Sequence, residues 1–86
     1  MVTILITHEI DDLEHWLASP VRKEAFGALG MRSRTFVDPA NPTHVGLIVE
    51  APDVQTFMTA LKSEEAAAAM ASDGVVRDTY AFYFER

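Results

Sequence analysis

The stretches DLEHWL (12–17) and DVQTFM (53–58) place an aspartate and then apolar residues at the same offsets. Each opens a helical region, each region is interrupted by a serine (Ser19, Ser63), and each ends at a glycine (Gly30, Gly74) before a β-like run. A chain that repeats this plan consists of two equivalent halves. Asp11 or Asp12, and later Asp53 after Pro52, can N-cap a helix, because a carboxylate accepts from the free backbone N–H groups of the first turn. Leu13, Trp16 and Leu17 share one helix face, as do Val54, Phe57, Met58 and Leu61. Ser19-Pro20 predicts a second helix start, with proline in the first turn where its missing N–H costs nothing. Val21, Ala25 and Leu29 follow on one face. Ser63 recaps, Glu64 and Glu65 suit the positive end of a helix, and Ala66–Ala71 are strong helix formers.

Four runs read as strands: 2–9 (VTILITHE), 31–37 (MRSRTFV), 44–50 (HVGLIVE) and 75–84 (VVRDTYAFYF). The segment DPANPT (38–43) predicts a hairpin with a loop of about six residues. The order β-α-β-β-α-β is the split βαβ, ferredoxin-like plan of the α+β class. It predicts one domain over 1–86, with a four-stranded antiparallel sheet in the order 4-1-3-2 and both helical regions on one face. The strands carry apolar residues on their other face too: Leu5 against Ile4 and Ile6, Ile48 against Leu47, Tyr83 against Phe82 and Phe84. A half-exposed antiparallel sheet should show one polar face. A second copy of the chain is the simplest cover, and a small chain with no cysteine has no disulfide to staple it.

Thirteen acidic against seven basic residues give a formal net charge of -6. The arginines and lysines form no stripe, so neither nucleic acid nor an anionic membrane is an expected partner. No apolar run approaches the roughly 20 residues of a membrane span, and the N-terminus lacks a signal-peptide pattern, so the expected setting is the cytoplasm. No glycine-rich phosphate loop, nucleophile elbow or paired-cysteine motif is present, and no cofactor is expected.

The first strand ends in His8-x-Ile10-x-Asp12, with Trp16 four residues on. Asp38-Pro39 marks the hairpin, Val45–Val49 forms an aliphatic strand, and MASDGV precedes the last strand. In these features, and over nearly its whole length, the chain resembles the dimeric α+β barrel superfamily. The nearest likeness is to small antibiotic-biosynthesis-monooxygenase-like and cyclase-like proteins. The resemblance implies a homodimer with two facing sheets. It also implies a small apolar or aromatic ligand, held between a sheet and its helices or inside the barrel.

The strand order brings His8, the start of the third strand at His44 and the start of the fourth at Arg77-Asp78 to one end of the sheet. A histidine beside a carboxylate can serve as general base or acid, so His8 is the candidate base, with His44 or Asp78 as its orienting partner. The same histidine could instead be a hydrogen-bonded rim residue. His8, His44 and Asp78 carry no metal-site spacing, and no metal is expected. Trp16 is a core anchor or a platform for substrate. Arg34 pairs an acid across a dimer or grips a carboxylate. Tyr80 and Tyr83 lie on opposite faces, and Tyr80 is the substrate-binding candidate. The functions left open are a cofactor-independent acid–base enzyme (isomerase, cyclase or monooxygenase-like) and a non-catalytic ligand-binding or structural dimer.

Overall fold

Two βαβ halves are laid out along the chain as β1 (Val2–Ile10), α1 (Leu13–Ala18), α2 (Val21–Ala28), β2 (Arg32–Asp38), β3 (Asn41–Ala51), α3 (Val54–Leu61), α4 (Glu64–Ser72) and β4 (Val75–Phe84). The computed structural model describes every residue from Met1 to Arg86. The strands form one antiparallel sheet in the order β2-β3-β1-β4, which is the predicted order read from the other edge.

Local chemistry sets the helix starts. Asp12 accepts from the backbone N–H groups of Glu14 (3.1 Å) and His15 (3.4 Å), Asp53 from Thr56 (2.7 Å) and Ser63 from Ala66 (3.1 Å). Ser19 Oγ accepts from Val21 N–H at 3.3 Å as α2 begins. Gly30 and Gly74 leave α2 and α4 with φ of 72° and 73°, a conformation that other residues adopt only under strain. Leu17 and Val54, expected on the buried helix faces, are 51% and 43% exposed. Each sits at the edge of a short helix, where the apolar stripe turns away from the sheet.

The core lies between the sheet and the helices. Ile4, Ile6, His8 and Ile10 of β1 and Val45, Leu47, Val49 and Ala51 of β3 alternate onto this inner face and are buried there. Trp16 of α1 and Phe57 of α3 close over them. Phe82 and Phe84 pack edge-on against Phe57, with ring centroids 5.8 Å and 6.1 Å away. No residue of α2 or α4 is fully buried; Phe26 of α2 packs half-buried against the core.

Two details depart from the sequence reading. The hairpin loop is not about six residues long: Asp38 pairs with Asn41, leaving Pro39-Ala40 as the turn. Asp38 Oδ1 accepts from Ala40 N–H (2.8 Å) and Asn41 Oδ1 from Thr43 N–H (3.3 Å), so side chains make the turn's bonds and the pairing continues to the tip. The extra chain becomes a bulge near the start of β3, where the pairing slips between Val37 and Asp38. β4 bulges as well. Ala81 stands opposite Thr7 but Val76 opposite Glu9, so residues 77–80 of β4 stand against His8 alone on β1. Thr79 Oγ1 bridges the gap, accepting from Glu9 N–H (2.8 Å) and donating to the Val76 carbonyl (2.6 Å). No helix is long and apolar enough to cross a membrane.

Candidate functional site

A cavity of about 680 Å³ opens between the inner sheet face and the helices. Its walls are largely apolar, from Ala25 and Phe26 of α2 and Leu29 at its end, Ala60 and Leu61 of α3, Ala66 and Met70 of α4, and Leu47 of β3. Its polar groups are His8, Arg22, Asp73 and Tyr80, with Gln55, Thr56, Thr59, Ser63 and Glu65 contributed by α3, α4 and the turn between them.

His8 takes a place on β1 where the pattern otherwise supplies isoleucine, and it is only 2% exposed. Its Nδ1 lies 3.2 Å from the Glu9 carbonyl. A carbonyl only accepts, so Nδ1 carries the proton and Nε2 keeps a free lone pair. Burial pushes the His8 pKa below its ordinary value, the Glu9 carbonyl opposes this, and the positive charges of Arg22 and His44 add to it. The ring is gripped on two sides. Tyr80 stacks on it with ring centroids 5.7 Å apart and planes 8° from parallel, and Trp16 meets it edge-on at 5.8 Å. Burial raises the Tyr80 pKa to about 12, so its hydroxyl remains a donor. A neutral imidazole with one nitrogen fixed and the other free, at the wall of an apolar cavity, is equipped to take a proton from a bound molecule.

Arg22 and Asp73 complete this end of the cavity. The Arg22 guanidinium lies 4.1 Å from the centroid of the Trp16 ring and donates to the Trp16 carbonyl at 3.3 Å. It meets Asp73 Oδ2 at 3.5 Å, and both side chains are largely buried. Asp73 Oδ1 is buried with no partner. The sequence reading missed both residues. The signal for Arg22 was available: it shares a helix face with Ala25, Phe26 and Leu29, a lone cation on an apolar stripe. Asp73 carried no such signal, because Asp-Gly after a helix reads as a stop.

Of the six candidates drawn from the sequence, the structure brings His8, Trp16 and Tyr80 together and leaves the other three elsewhere. His44 shares the end of the sheet with His8 but is registered with Glu9, on the opposite face, where its Nδ1 lies 3.5 Å from Asp38 Oδ2. Successive strand residues alternate between faces, so a shared end does not mean a shared site. Asp78 is exposed in the β4 bulge. Arg34 is on the outer face, with its guanidinium 5.9 Å from the Phe36 ring centroid, beside a shallow hollow of about 280 Å³. The group that orients His8 is a backbone carbonyl, in place of the expected His44 or Asp78. No group of three or more His, Asp or Glu side chains is arranged to hold a metal ion.

No protein-family model matches the sequence, and no curated protein matches it. Solved structures do match over the whole chain. An antibiotic biosynthesis monooxygenase aligns with 100% of this chain and 97% of its own, at 16% identity and a TM-score of 0.67. A candidate antibiotic biosynthesis monooxygenase from Deinococcus radiodurans aligns with 100% of this chain and 91% of its own, at 14% identity and a TM-score of 0.60. An ethyl tert-butyl ether D family protein from Bacillus halodurans aligns with 100% and 98%, at 14% identity and a TM-score of 0.59. At such identities the likeness is one of backbone architecture. The chain shares the ferredoxin-like α+β fold of antibiotic biosynthesis monooxygenase-like structures.

Proposed function

We propose that this chain is a small-molecule-binding protein whose sheet–helix cavity takes a flat, apolar or aromatic molecule, and that His8 acts on it as a general base. One observation carries this reading: a neutral imidazole, 2% exposed and with Nε2 unpartnered in the chain, lines an apolar cavity of about 680 Å³. Pockets that bury a small ligand are of this size and character. A histidine kept only for packing would leave no such space beside it. Removal of a proton from an activated carbon or hydroxyl gives the anion from which isomerisation, cyclisation and cofactor-independent oxygenation all proceed. The names carried by structures of the same fold are in keeping with the last of these. The acidic composition without cysteine suits a cytoplasmic setting.

The second reading is a dimeric module without chemistry, and the outer sheet face favours its dimeric half. Leu5, Phe36 and Tyr83 are 45%, 47% and 57% exposed on that face, around Ile48. A homodimer that covers them belongs to both readings. The cavity separates the two. Native mass spectrometry of the purified protein, followed by denaturation and identification of any released compound, should show a flat apolar molecule bound once per chain. Trp16, the one tryptophan, lines the cavity and reports binding by its fluorescence. A protein that retains nothing and whose Trp16 emission is unmoved by flat aromatic compounds is the module.

A further inference from the structure

We infer that Arg22, held in place by Asp73, is the group that stabilises negative charge on an oxygen of the bound molecule, so that the cavity favours ligands with an enolisable carbonyl or an acidic ring hydroxyl. The inference rests on the proposed cavity and on His8 as base.

Arg22 is a cation with only 15% of its side chain exposed, placed in an otherwise apolar wall. Such burial is tolerated when the charge is paired and its donors are used. Here neither condition is fully met. A guanidinium has five N–H donors. Two are engaged, by Asp73 Oδ2 at 3.5 Å and the Trp16 carbonyl at 3.3 Å, both longer than an ordinary N–H···O bond. Asp73 is itself 4% exposed, stands at the C-terminal end of α4 where the helix dipole disfavours a carboxylate, and leaves Oδ1 buried and unpartnered. The side chain this carboxylate meets is Arg22, which it holds in place. The network is open on the guanidinium side, and an anionic oxygen would close it with charge-assisted bonds.

Trp16 ties this cation to the base. Its indole carries the Arg22 guanidinium on one ring face, 4.1 Å from the centroid, and meets the His8 ring edge-on at 5.8 Å. Proton acceptor and cation are therefore both placed against one rigid side chain. A simple carboxylate with no second acidic proton would give His8 nothing to remove. A ring hydroxyl or an enolisable carbonyl uses both groups, because the proton goes to His8 Nε2 and the electron pair stays on the oxygen facing Arg22. Of the other titratable groups around the site, Tyr80 stays protonated and can add a neutral hydrogen bond but no charge, and Glu65, at the start of α4, is exposed, so the positive charge at this end is that of Arg22.

Flavone and 7-hydroxyflavone test this, because the phenol and phenolate forms of the second absorb at different wavelengths. Both should bind and move Trp16 emission. Bound 7-hydroxyflavone should ionise about one to two pH units below the free dye, the effect of a neighbouring guanidinium on an acidic group. In Arg22→Gln that displacement should vanish and affinity for the phenolate should fall about 10- to 100-fold, with flavone affinity kept within about twofold. Arg22→Lys should retain part of the displacement, and His8→Gln should retain most of it. Normal ionisation of 7-hydroxyflavone on the wild-type protein, with flavone bound, overturns the role of Arg22 and leaves the cavity reading intact. A displacement lost in His8→Gln but kept in Arg22→Gln also overturns it, since the charge would then belong to His8. Failure of either dye to bind removes the cavity reading and this inference together.

Discussion

A neutral imidazole sealed in a core gives stability a direction in pH. The pKa of His8 lies below 6.5 in the folded chain, chiefly because burial disfavours the cation, and returns to its ordinary value on unfolding. Between the two values the unfolded chain binds more protons, so stability is fully present above 6.5 and falls as the pH drops toward the folded value. His15 works the other way. Its Nε2 donates to the Ser72 carbonyl at 2.6 Å, which raises its pKa, so its contribution is present below 6.5 and lost as pH rises through the folded value. His15 is fully exposed, and solvent screens its effect. The melting temperature should therefore fall from about pH 7 to about pH 5, and His8→Gln should flatten most of that slope in thermal melts. The same substitution should lower turnover by roughly 10²–10⁴-fold once a substrate is in hand, and the wild-type rate should rise with pH to a plateau reached below neutrality. An unchanged rate in a folded His8→Gln protein would remove His8 as the base.

At the scale of elements, the sequence was legible where one residue decides the outcome. Asp12, Asp53 and Ser63 cap the helices they were expected to cap, because a capping bond needs only a side-chain oxygen and the next turn of backbone. The isoleucines of β1 fix its face by alternation; the sequence put His8 only at the end of this strand, as base or rim residue, and the structure buries it on the isoleucine face. The two bulges were not legible. Each depends on a side-chain oxygen replacing a ladder bond, and nothing in the order of residues around Thr79 or Asn41 announces that. The unbroken register from Ile4–Phe84 to Thr7–Ala81 puts Tyr80 opposite His8, and the bulge at Thr79 begins directly beside that pair. Thr79→Val should leave Glu9 N–H without its acceptor, reduce stability by about 1–3 kcal/mol in urea titration, and weaken ligand binding by loosening the Tyr80 stack. Gly74 is a second fixed point. A Cβ there would collide with the Asp11 carboxylate, on a backbone with φ of 73°. Gly74→Ala should lose at least about 1–2 kcal/mol from backbone strain alone, while Gly27→Ala in α2, where a Cβ meets nothing, should be neutral or better.

For the whole molecule, the outer sheet face and the cavity make complementary demands. Leu5, Phe36, Ile48 and Tyr83 form an apolar surface of the kind that marks an interface. A dimer built on it should bury roughly 2,000 Å² or more in total. Light scattering at micromolar concentration should give twice the chain mass, and Leu5→Glu with Tyr83→Lys should give the monomer. A wild-type monomer would leave this face without an occupant. The inner face is different. Arg22 and Asp73 were not legible as a pair because they meet only when α2 and α4 both settle over the sheet, and neither helix has a fully buried residue. A ligand of the proposed kind would add contacts beneath this layer. Occupancy should then set how long the protein survives: at a free ligand concentration a hundred times Kd the folded state gains about 2.7 kcal/mol. Abundance in the cell should follow ligand supply, and proteolytic half-life should lengthen as ligand accumulates. A substitution that merely empties the cavity would then be mistaken, in any screen for protein level, for one that breaks the fold.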